Sequence, residues 1–171
     1  MKYIGMICLV ALLFTNCKKD EEDILFDMPY FVDFEIPAGL NPFTSHYFFF
    51  DDISSFSDSI LSKNNISFSD LKSINPKIAR LNSLISGQAD YDFIQEISID
   101  IYEKDQNKSL EVFWHPQVDN NVGSTIGIPA NLPDVKRYFD ADKFGVKIRL
   151  VLRNPSPEFI SSRLEFSFVA R

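Results

Sequence analysis

The chain has 171 residues, of which 17 are basic and 24 acidic, giving a formal net charge of −7. This acidic balance argues against nucleic-acid binding, whose affinity comes from Lys and Arg side chains that neutralise phosphates. The length suits one domain with a proper hydrophobic core rather than two. Aromatic residues make up 14% of the chain, with 17 Phe against 6 Gly, and Phe, Val and Ile in alternating runs favour β-structure.

The N-terminal segment has the composition of a secretory signal. A single cation, Lys2, precedes an apolar run from Tyr3 to Phe14. As a helix this run of about 12 residues would span roughly 18 Å, short of a ~30 Å hydrocarbon core. We therefore predict that the segment is removed rather than retained as a membrane span. A small polar exit follows, and Cys17 stands directly behind it.

The residues around Cys17 resemble the lipobox of bacterial lipoproteins, in which the chain is cut before the cysteine that carries the lipid. This resemblance implies a signal peptide over residues 1–16, lipidation of Cys17 and a flexible acidic tether over residues 17–27. The residues behind Cys17 also resemble the export signal of surface-exposed lipoproteins in Bacteroidota-type bacteria: Lys18, Lys19, Asp20, Glu21, Glu22 and Asp23. That likeness implies lipid anchoring in the outer membrane with exposure at the cell surface. A solvated spacer is the alternative, because the segment has no apolar residue to bury.

The positions of the two cysteines limit which cysteine chemistry the folded domain can have. If Cys8 leaves with the signal and Cys17 carries the lipid, as the resemblance implies, the mature domain contains no thiol. The sequence therefore predicts no disulfide, no zinc–thiolate site and no cysteine nucleophile in the domain. Loss of residues 1–16 removes only Lys2 among the charges and leaves 16 basic against 24 acidic residues, a net charge of −8 over 155 residues.

The folded domain is predicted over residues 28–171, and its main signal is period-2 alternation of apolar and polar residues. The predicted strands, in chain order, are residues 30–36, 43–53, 77–85, 97–101, 110–114, 144–153 and 164–168, with a short apolar piece at 126–128. Phe48, Phe49 and Phe50 are expected to be covered on both faces. Capping serines and helical spacing predict short helical pieces over residues 55–63, 67–74 and 133–139.

Seven or eight short strands at this spacing predict an all-β fold, a two-sheet antiparallel β-sandwich. Both a jelly-roll and an immunoglobulin-like arrangement fit the pattern. Two or three short helical insertions interrupt the strands.

Candidate metal ligands are sparse. His46 and His115 are about 70 residues apart, and a metal site needs such ligands at tight spacing or converging in space. The segment from Asp119 to Gly123 is rich in oxygen and ends in glycine, but it does not fit a calcium loop with acidic residues at alternating positions. We therefore predict no metal and no cofactor.

Nothing in the sequence supports catalysis. Paired carboxylates serve glycoside hydrolysis when two meet across a cleft, but the candidates alternate with a predicted core face and so belong to the solvent face of a sheet: Glu96, Asp100, Glu103 and Glu111. The chain also has no nucleophile elbow and no phosphate loop. We expect that the protein is not an enzyme.

Trp114 is the one tryptophan and the main candidate for binding. It shares a predicted strand face with Leu110 and Val112, so burial in the core is the first expectation. The alternative is a platform at the rim of the sheet for a sugar or a partner protein, helped by Phe113 and His115 on the opposite face.

A second candidate surface is cationic. Lys147, Arg149 and Arg153 share one predicted strand face and are joined by Arg163. We expect them to pair across strands with Glu165 and other acidic neighbours. The alternative is contact with an anionic surface such as lipopolysaccharide.

The lipobox, the acidic tether and an all-β domain of this size together resemble β-sandwich surface lipoproteins of Bacteroidota-type bacteria. That resemblance implies a non-catalytic, lipid-anchored module that binds another outer-membrane or extracellular protein. A glycan-binding lipoprotein accessory to an outer-membrane transporter is the alternative. An enzyme or inhibitor built on a sandwich scaffold is the third possibility.

Overall fold

The computed structural model describes residues 24–85, 90–104 and 108–171. The predicted signal peptide (1–16), Cys17, the export-like residues 18–23 and parts of two predicted turns (86–89 and 105–107) lie outside the described residues. The strands are β1 (Phe26–Ile36), β2 (His46–Ser54), β3 (Ile74–Ser83), β4 (Ile94–Tyr102), β5 (Ser109–His115), β6 (Thr125–Ile128), β7 (Lys143–Leu152) and β8 (Ile160–Ala170). The helical elements are α1 (Ser57–Asn64) and the 3-10 turns Phe68–Asp70, Tyr91–Phe93 and Lys136–Phe139.

The strands form two four-stranded antiparallel sheets. Sheet 1 has the order β1-β8-β3-β6 and sheet 2 the order β2-β7-β4-β5. Every connection between consecutive strands crosses from one sheet to the other, except the one from β4 to β5. Eight strands in this order form a jelly roll, whereas an immunoglobulin domain of the constant type has seven strands in the orders ABED and CFG. The predicted all-β, two-sheet antiparallel sandwich is confirmed.

A cluster of aromatic side chains lies in the core between the sheets, within a larger set of buried aliphatic side chains. Tyr30 of β1 lies among the rings of Phe139, Phe144, Phe166 and Phe168, with centroid distances of 5.2–6.1 Å. Its hydroxyl donates a hydrogen bond of 2.5 Å to the carbonyl oxygen of Ser55. Because buried hydroxyl groups need a partner, this bond lets a tyrosine occupy the centre of the core. Burial also raises the pKa of Tyr30.

The strand connections collect at two opposite ends of the sandwich. At the end that we call distal, the β1–β2, β3–β4, β5–β6 and β7–β8 connections meet through backbone hydrogen bonds such as Gly39 N to Ser156 O (2.9 Å) and Tyr91 N to Gly123 O (2.8 Å). At the proximal end lie α1, the start of β1 and the end of β8, where Leu25 N donates to Ala170 O at 2.9 Å. The described chain therefore enters the fold at the proximal end.

Most predicted boundaries hold within a few residues. The predicted helix 55–63 is α1 at Ser57–Asn64, and Ser67 with Asp70 forms a capping box, as expected. β1 begins at Phe26, two residues before the predicted start of the domain. Among the described residues, no helix is both long and apolar enough to cross a lipid bilayer.

For β2, the prediction of which side chains are covered was wrong. Phe48 and Phe50 are partly buried, but Phe49 points outward and is exposed, instead of all three being covered. β2 belongs to an antiparallel sheet of a two-layer sandwich, so one face of the strand packs on the core and the other meets solvent.

Candidate functional site

A β-bulge in β5 decides where Trp114 points. Asp100 lies opposite Glu111, but Ile99 lies opposite Phe113, so Val112 is an extra residue in the strand. A bulge of this kind reverses the alternation of faces beyond it. Val112 and Phe113 are therefore both buried, and Trp114 turns outward with 40% of its surface exposed. The first expectation, that Trp114 belongs to the core, was wrong.

The two neighbours of Trp114 do not join it at the surface. Phe113 is fully buried and packs on Phe168, with ring centroids 6.0 Å apart. It was a candidate binding residue and is instead part of the core. His115 pairs with Ile97 and is partly buried, and its Nδ1 is buried without a hydrogen-bond partner among the described residues. Of the three candidates, Trp114 alone presents a ring on the outer face of sheet 2.

A hydrogen-bond network fixes the indole of Trp114. Its Nε1–H donates to Glu96 Oε1 at 2.9 Å, and the same oxygen accepts a hydrogen bond from Arg149. Arg149 also donates through Nε to Ser98 Oγ at 3.2 Å. Strand register aligns Tyr47, Arg149, Ser98 and Trp114 in one row across all four strands of the sheet. The ring is thus held in place by neighbours on β4 and β7.

A second row lies beside the first, formed by Phe49, Lys147, Asp100 and Glu111. Lys147 Nζ lies 2.7 Å from Asp100 Oδ2, and both side chains are largely buried by their neighbours. Ser109 Oγ donates to the same carboxylate oxygen at 2.7 Å. The positive charges of Lys147 and Arg149 at the centre of this face are therefore neutralised by the β4 carboxylates of Asp100 and Glu96.

Tyr102 forms the third part of the surface by crossing β7. Its ring lies over Gly145, and its hydroxyl donates to Asp51 Oδ1 on the far side at 2.7 Å. Burial and the adjacent Asp51 carboxylate raise the pKa of Tyr102, since both disfavour the phenolate. The ring of Phe49 meets that of Tyr102 edge-on at 6.4 Å and lies 6.3 Å from Tyr47.

We call the surface formed by Tyr47, Phe49, Tyr102 and Trp114 the aromatic face. Exposed fractions are 51% for Tyr47, 62% for Phe49 and 40% for Trp114. Large exposed apolar side chains grouped on one face indicate an interaction site. Aromatic residues and arginine are also the types enriched in the energetic centres of protein interfaces.

The predicted cationic surface is divided between different parts of the fold. Lys147 and Arg149 pair across strands with Asp100 and Glu96, which confirms the expected neutralisation. Arg153 instead lies at the distal end, where it donates to the carbonyl oxygen of Val118. There is no stripe that joins them.

Arg163 lies on the other sheet and has a different partner from the one expected. Its guanidinium donates to both oxygens of Asp33 at 2.6 and 2.7 Å, rather than pairing with Glu165. It also lies 4.5 Å over the ring of Phe31. This bidentate contact holds the pKa of Asp33 below its ordinary value.

A second exposed apolar surface lies on sheet 1. Its groove of about 460 Å³ runs between Pro29 and Phe31 of β1 and Ile78 and Arg80 of β3, with Ser167 of β8 between them. The short side chain of Ser167 leaves the space that the longer residues border. This groove offers a comparison surface for any test of the aromatic face.

The remaining candidates occupy structural positions. Within the part of the chain that the structure describes, no three side chains of His, Cys, Asp or Glu converge to hold a metal ion. His46 Nε2 lies 2.8 Å from the carbonyl oxygen of Asn41. Glu111 accepts a hydrogen bond of 3.0 Å from the side-chain amide of Asn131.

Comparison with known proteins adds no family to these observations. No protein-family model matches the sequence. No curated protein matches it as a relative.

Proposed function

We propose that this protein is a non-catalytic, lipid-anchored module at the cell surface that binds another outer-membrane or extracellular protein through its aromatic face. The observation that carries the proposal is the exposure of Tyr47, Phe49 and Trp114 on one sheet face. A solvent-facing sheet surface normally carries polar residues. Three large aromatic rings lie on this face, and their exposed apolar area supports a role in binding.

The layout of the face favours a protein as the partner. Tyr47 and Phe49 lie on β2 and Trp114 on β5, at opposite edges of the four-stranded sheet. Three strand spacings separate these edges, about 14 Å. Small ligands usually bind in concave pockets, whereas protein interfaces are broad and place aromatic anchors among polar groups. Rings spread over this width support contact with a surface of similar breadth.

The position of the anchor supports a partner in the same membrane. The described chain enters the fold at the proximal end, beside the start of β1. Six residues lie between Cys17 and Ile24, and the seven Cα-to-Cα steps reach at most about 25 Å. A lipid on Cys17 would hold the proximal end near the membrane. The aromatic face, which runs along the strands, would then be open sideways to a neighbouring protein.

Photo-crosslinking in intact outer membranes tests this proposal. Phe49 is replaced by p-benzoylphenylalanine, and Phe31 on sheet 1 is replaced in the same way as the matched control. Both are exposed phenylalanines on the outer faces of strands. We expect one protein adduct from position 49 and none from position 31. An adduct only from position 31 would move the interface to sheet 1, and adducts from neither would contradict the proposal.

Affinity capture gives a second measure of the same interface. The double variant Phe49→Ala, Trp114→Ala should lose the partner from detergent-solubilised outer membranes, because aromatic anchors contribute about 2 kcal/mol or more each. Recovery of the partner in the same amount as with wild type would rule out the aromatic face.

A glycan is the alternative ligand, and one observation favours it. The indole of Trp114 is fixed by Glu96, so its ring is already oriented for stacking on a sugar while carboxylate and guanidinium groups lie beside it. Binding of a neutral oligosaccharide that Trp114→Ala abolishes and Phe49→Ala leaves unchanged would support this alternative. Binding of protein that needs both rings would support the first proposal.

A further inference from the structure

A polar pocket lies at the distal end, apart from the four rings of the aromatic face. Its volume is about 330 Å³, and it is lined by Gln95, Pro116, Gln117, Asn120 and Arg153. None of these five residues is acidic, although acidic residues outnumber basic ones in the chain. We call it the Arg153 pocket.

Three parts of the chain build this pocket. A register shift in β4 between Ile94 and Glu96 makes Gln95 an extra residue that leaves the regular ladder. The carbonyl oxygen of Gln95 accepts a hydrogen bond of 2.8 Å from Val118 N, and the buried side chain of Val118 anchors the β5–β6 connection. The pocket is therefore bordered by fixed backbone.

Arg153 is held in the pocket without a carboxylate partner. Its backbone N–H donates to Phe93 O at 2.9 Å, and its guanidinium donates to Val118 O. Its Nε is buried and makes no hydrogen bond to any residue that the structure describes. No ion pair to Arg153 is present among residues 24–85, 90–104 and 108–171, whereas Arg149 and Arg163 each pair with an acid. The arginine is positioned, partly desolvated and incompletely satisfied.

The chemistry of the lining defines the ligand. A guanidinium nitrogen is a charged donor that pairs strongly with a carboxylate, and the Nη1 of Arg153 is neither the buried nitrogen nor the one bound to Val118 O. The side-chain amides of Gln95, Gln117 and Asn120 both donate and accept hydrogen bonds, as hydroxyl groups require. Pro116 adds an apolar surface that suits the C–H face of a ring.

We propose that the Arg153 pocket binds an acidic sugar, with the sugar's carboxylate on Arg153 and its hydroxyl groups on the three side-chain amides. A simple carboxylate would use Arg153 alone and would leave the amides unengaged. The proposal does not depend on a protein partner at the aromatic face. The pocket lies at the end opposite to the chain entry, so an anchor at the proximal end would leave it open to ligand.

Saturation-transfer NMR titrations of the full chain in detergent test the proposal with galacturonate, galactose and acetate. We expect galacturonate to bind about tenfold or more tightly than either galactose or acetate, because only galacturonate engages both the guanidinium and the amides. Acetate binding as tightly as galacturonate would reduce the pocket to a general anion site and overturn the sugar assignment. Equal affinity for galactose and galacturonate would show that Arg153 does not contribute to binding and would contradict the proposal.

Variants locate the binding. Arg153→Gln should weaken galacturonate about tenfold or more, and Arg80→Gln, which removes one positive charge from sheet 1, should not. The double variant Gln117→Ala, Asn120→Ala changes two exposed side chains and should weaken galacturonate while leaving acetate unchanged. This double variant still tests the pocket if Arg153→Gln lowers the melting temperature of the protein. Phe49→Ala should leave every titration unchanged. A negative result for the Arg153 pocket is therefore distinguishable from a negative result for the aromatic face.

Discussion

The ring of Tyr102 lies directly on the backbone of Gly145, and a Cβ added at Gly145 would fall 2.4 Å from Tyr102 Cζ. Gly145 belongs to β7, the strand between β2 and β4 in sheet 2. The absence of a side chain there lets Tyr102 reach across β7 and donate to Asp51. The two residues together connect three strands.

This contact predicts the effect of Gly145→Ala. The added methyl group displaces the ring of Tyr102 and breaks its hydrogen bond to Asp51, so we expect a loss of about 1–3 kcal/mol in the free energy of unfolding. Urea denaturation measures the loss. Gly127→Ala on β6 is the matched control, because a Cβ at Gly127 meets no atom within 4 Å. Equal stability of the two variants would contradict the close approach.

Glu96 connects Trp114 with Arg149, so we predict that the stability of the fold depends strongly on the Glu96 carboxylate. Glu96→Ala leaves the partly buried Arg149 without its acid and frees the indole, so we expect about 1–3 kcal/mol of destabilisation. Asp27→Ala, which removes the exposed ion pair with Lys77, is the control and should cost less than about 1 kcal/mol. Denaturant unfolding of both variants compares them. A smaller loss for Glu96→Ala than for Asp27→Ala would show that the network adds little.

Tyr91 predicts how stability changes at high pH. Burial raises the pKa of Tyr91 to about 12 from its ordinary value of 10.0, although its hydrogen bond to Ser162 opposes the shift. The folded state therefore keeps a proton that the unfolded state loses. This contribution is fully present below pH 10 and is lost as the pH rises through the interval to about 12.

Unfolding measured between pH 9 and pH 12 by absorbance of phenolate and by circular dichroism checks this sign. Tyr91→Phe should reduce the slope of stability against pH in that interval, with the remaining slope coming from residues such as Tyr30. An unchanged slope would mean that Tyr91 ionises equally in both states.

Lipid attachment is tested at Cys17. Cys17→Ser provides no thiol for acylation, so the protein should stay unprocessed or leave the membrane fraction. Stable anchoring depends on several acyl chains, each buried methylene adding about 0.8 kcal/mol. Fractionation and mass spectrometry of the processed chain measure the result, with Cys8→Ser as the matched control that should be lipidated normally. Cleaved Cys17→Ser protein in washed membranes at wild-type abundance would end the lipoprotein proposal.

Alternation predicted the strands well because most of them are half buried in a two-layer fold. Ile97, Ile99 and Ile101 in β4 are fully buried, as the pattern indicates. The orientation of Trp114 was not predictable in this way, because the bulge at Val112 is a property of the pairing between β4 and β5 and leaves no mark in the sequence of β5. Because Val112 is inserted, Trp114, which was expected in the core, points outward, and Phe113, which was expected at the surface, is buried.

Side-chain partners were harder to predict than faces. Arg163 pairs with Asp33 rather than Glu165 because strand register places Asp33 directly opposite it on β1. Arg153 follows Arg149 by the same alternation, but β7 ends at Leu152 and the chain turns away from the sheet. Gly145 gave one usable signal, since a glycine inside a strand often marks a close approach by another group. That signal points toward a contact such as the one with Tyr102.

The pairing of β8 with both β1 and β3 sets the order in which the chain can fold. β8 (Ile160–Ala170) lies between two strands that precede it by more than 75 residues, so sheet 1 cannot assemble until residue 170 has been synthesised. Contacts over such sequence distances also slow folding, because a long loop must close before they form. Sheet 1 is therefore completed only when β8, the last of the eight strands, is available to pair with both β1 and β3.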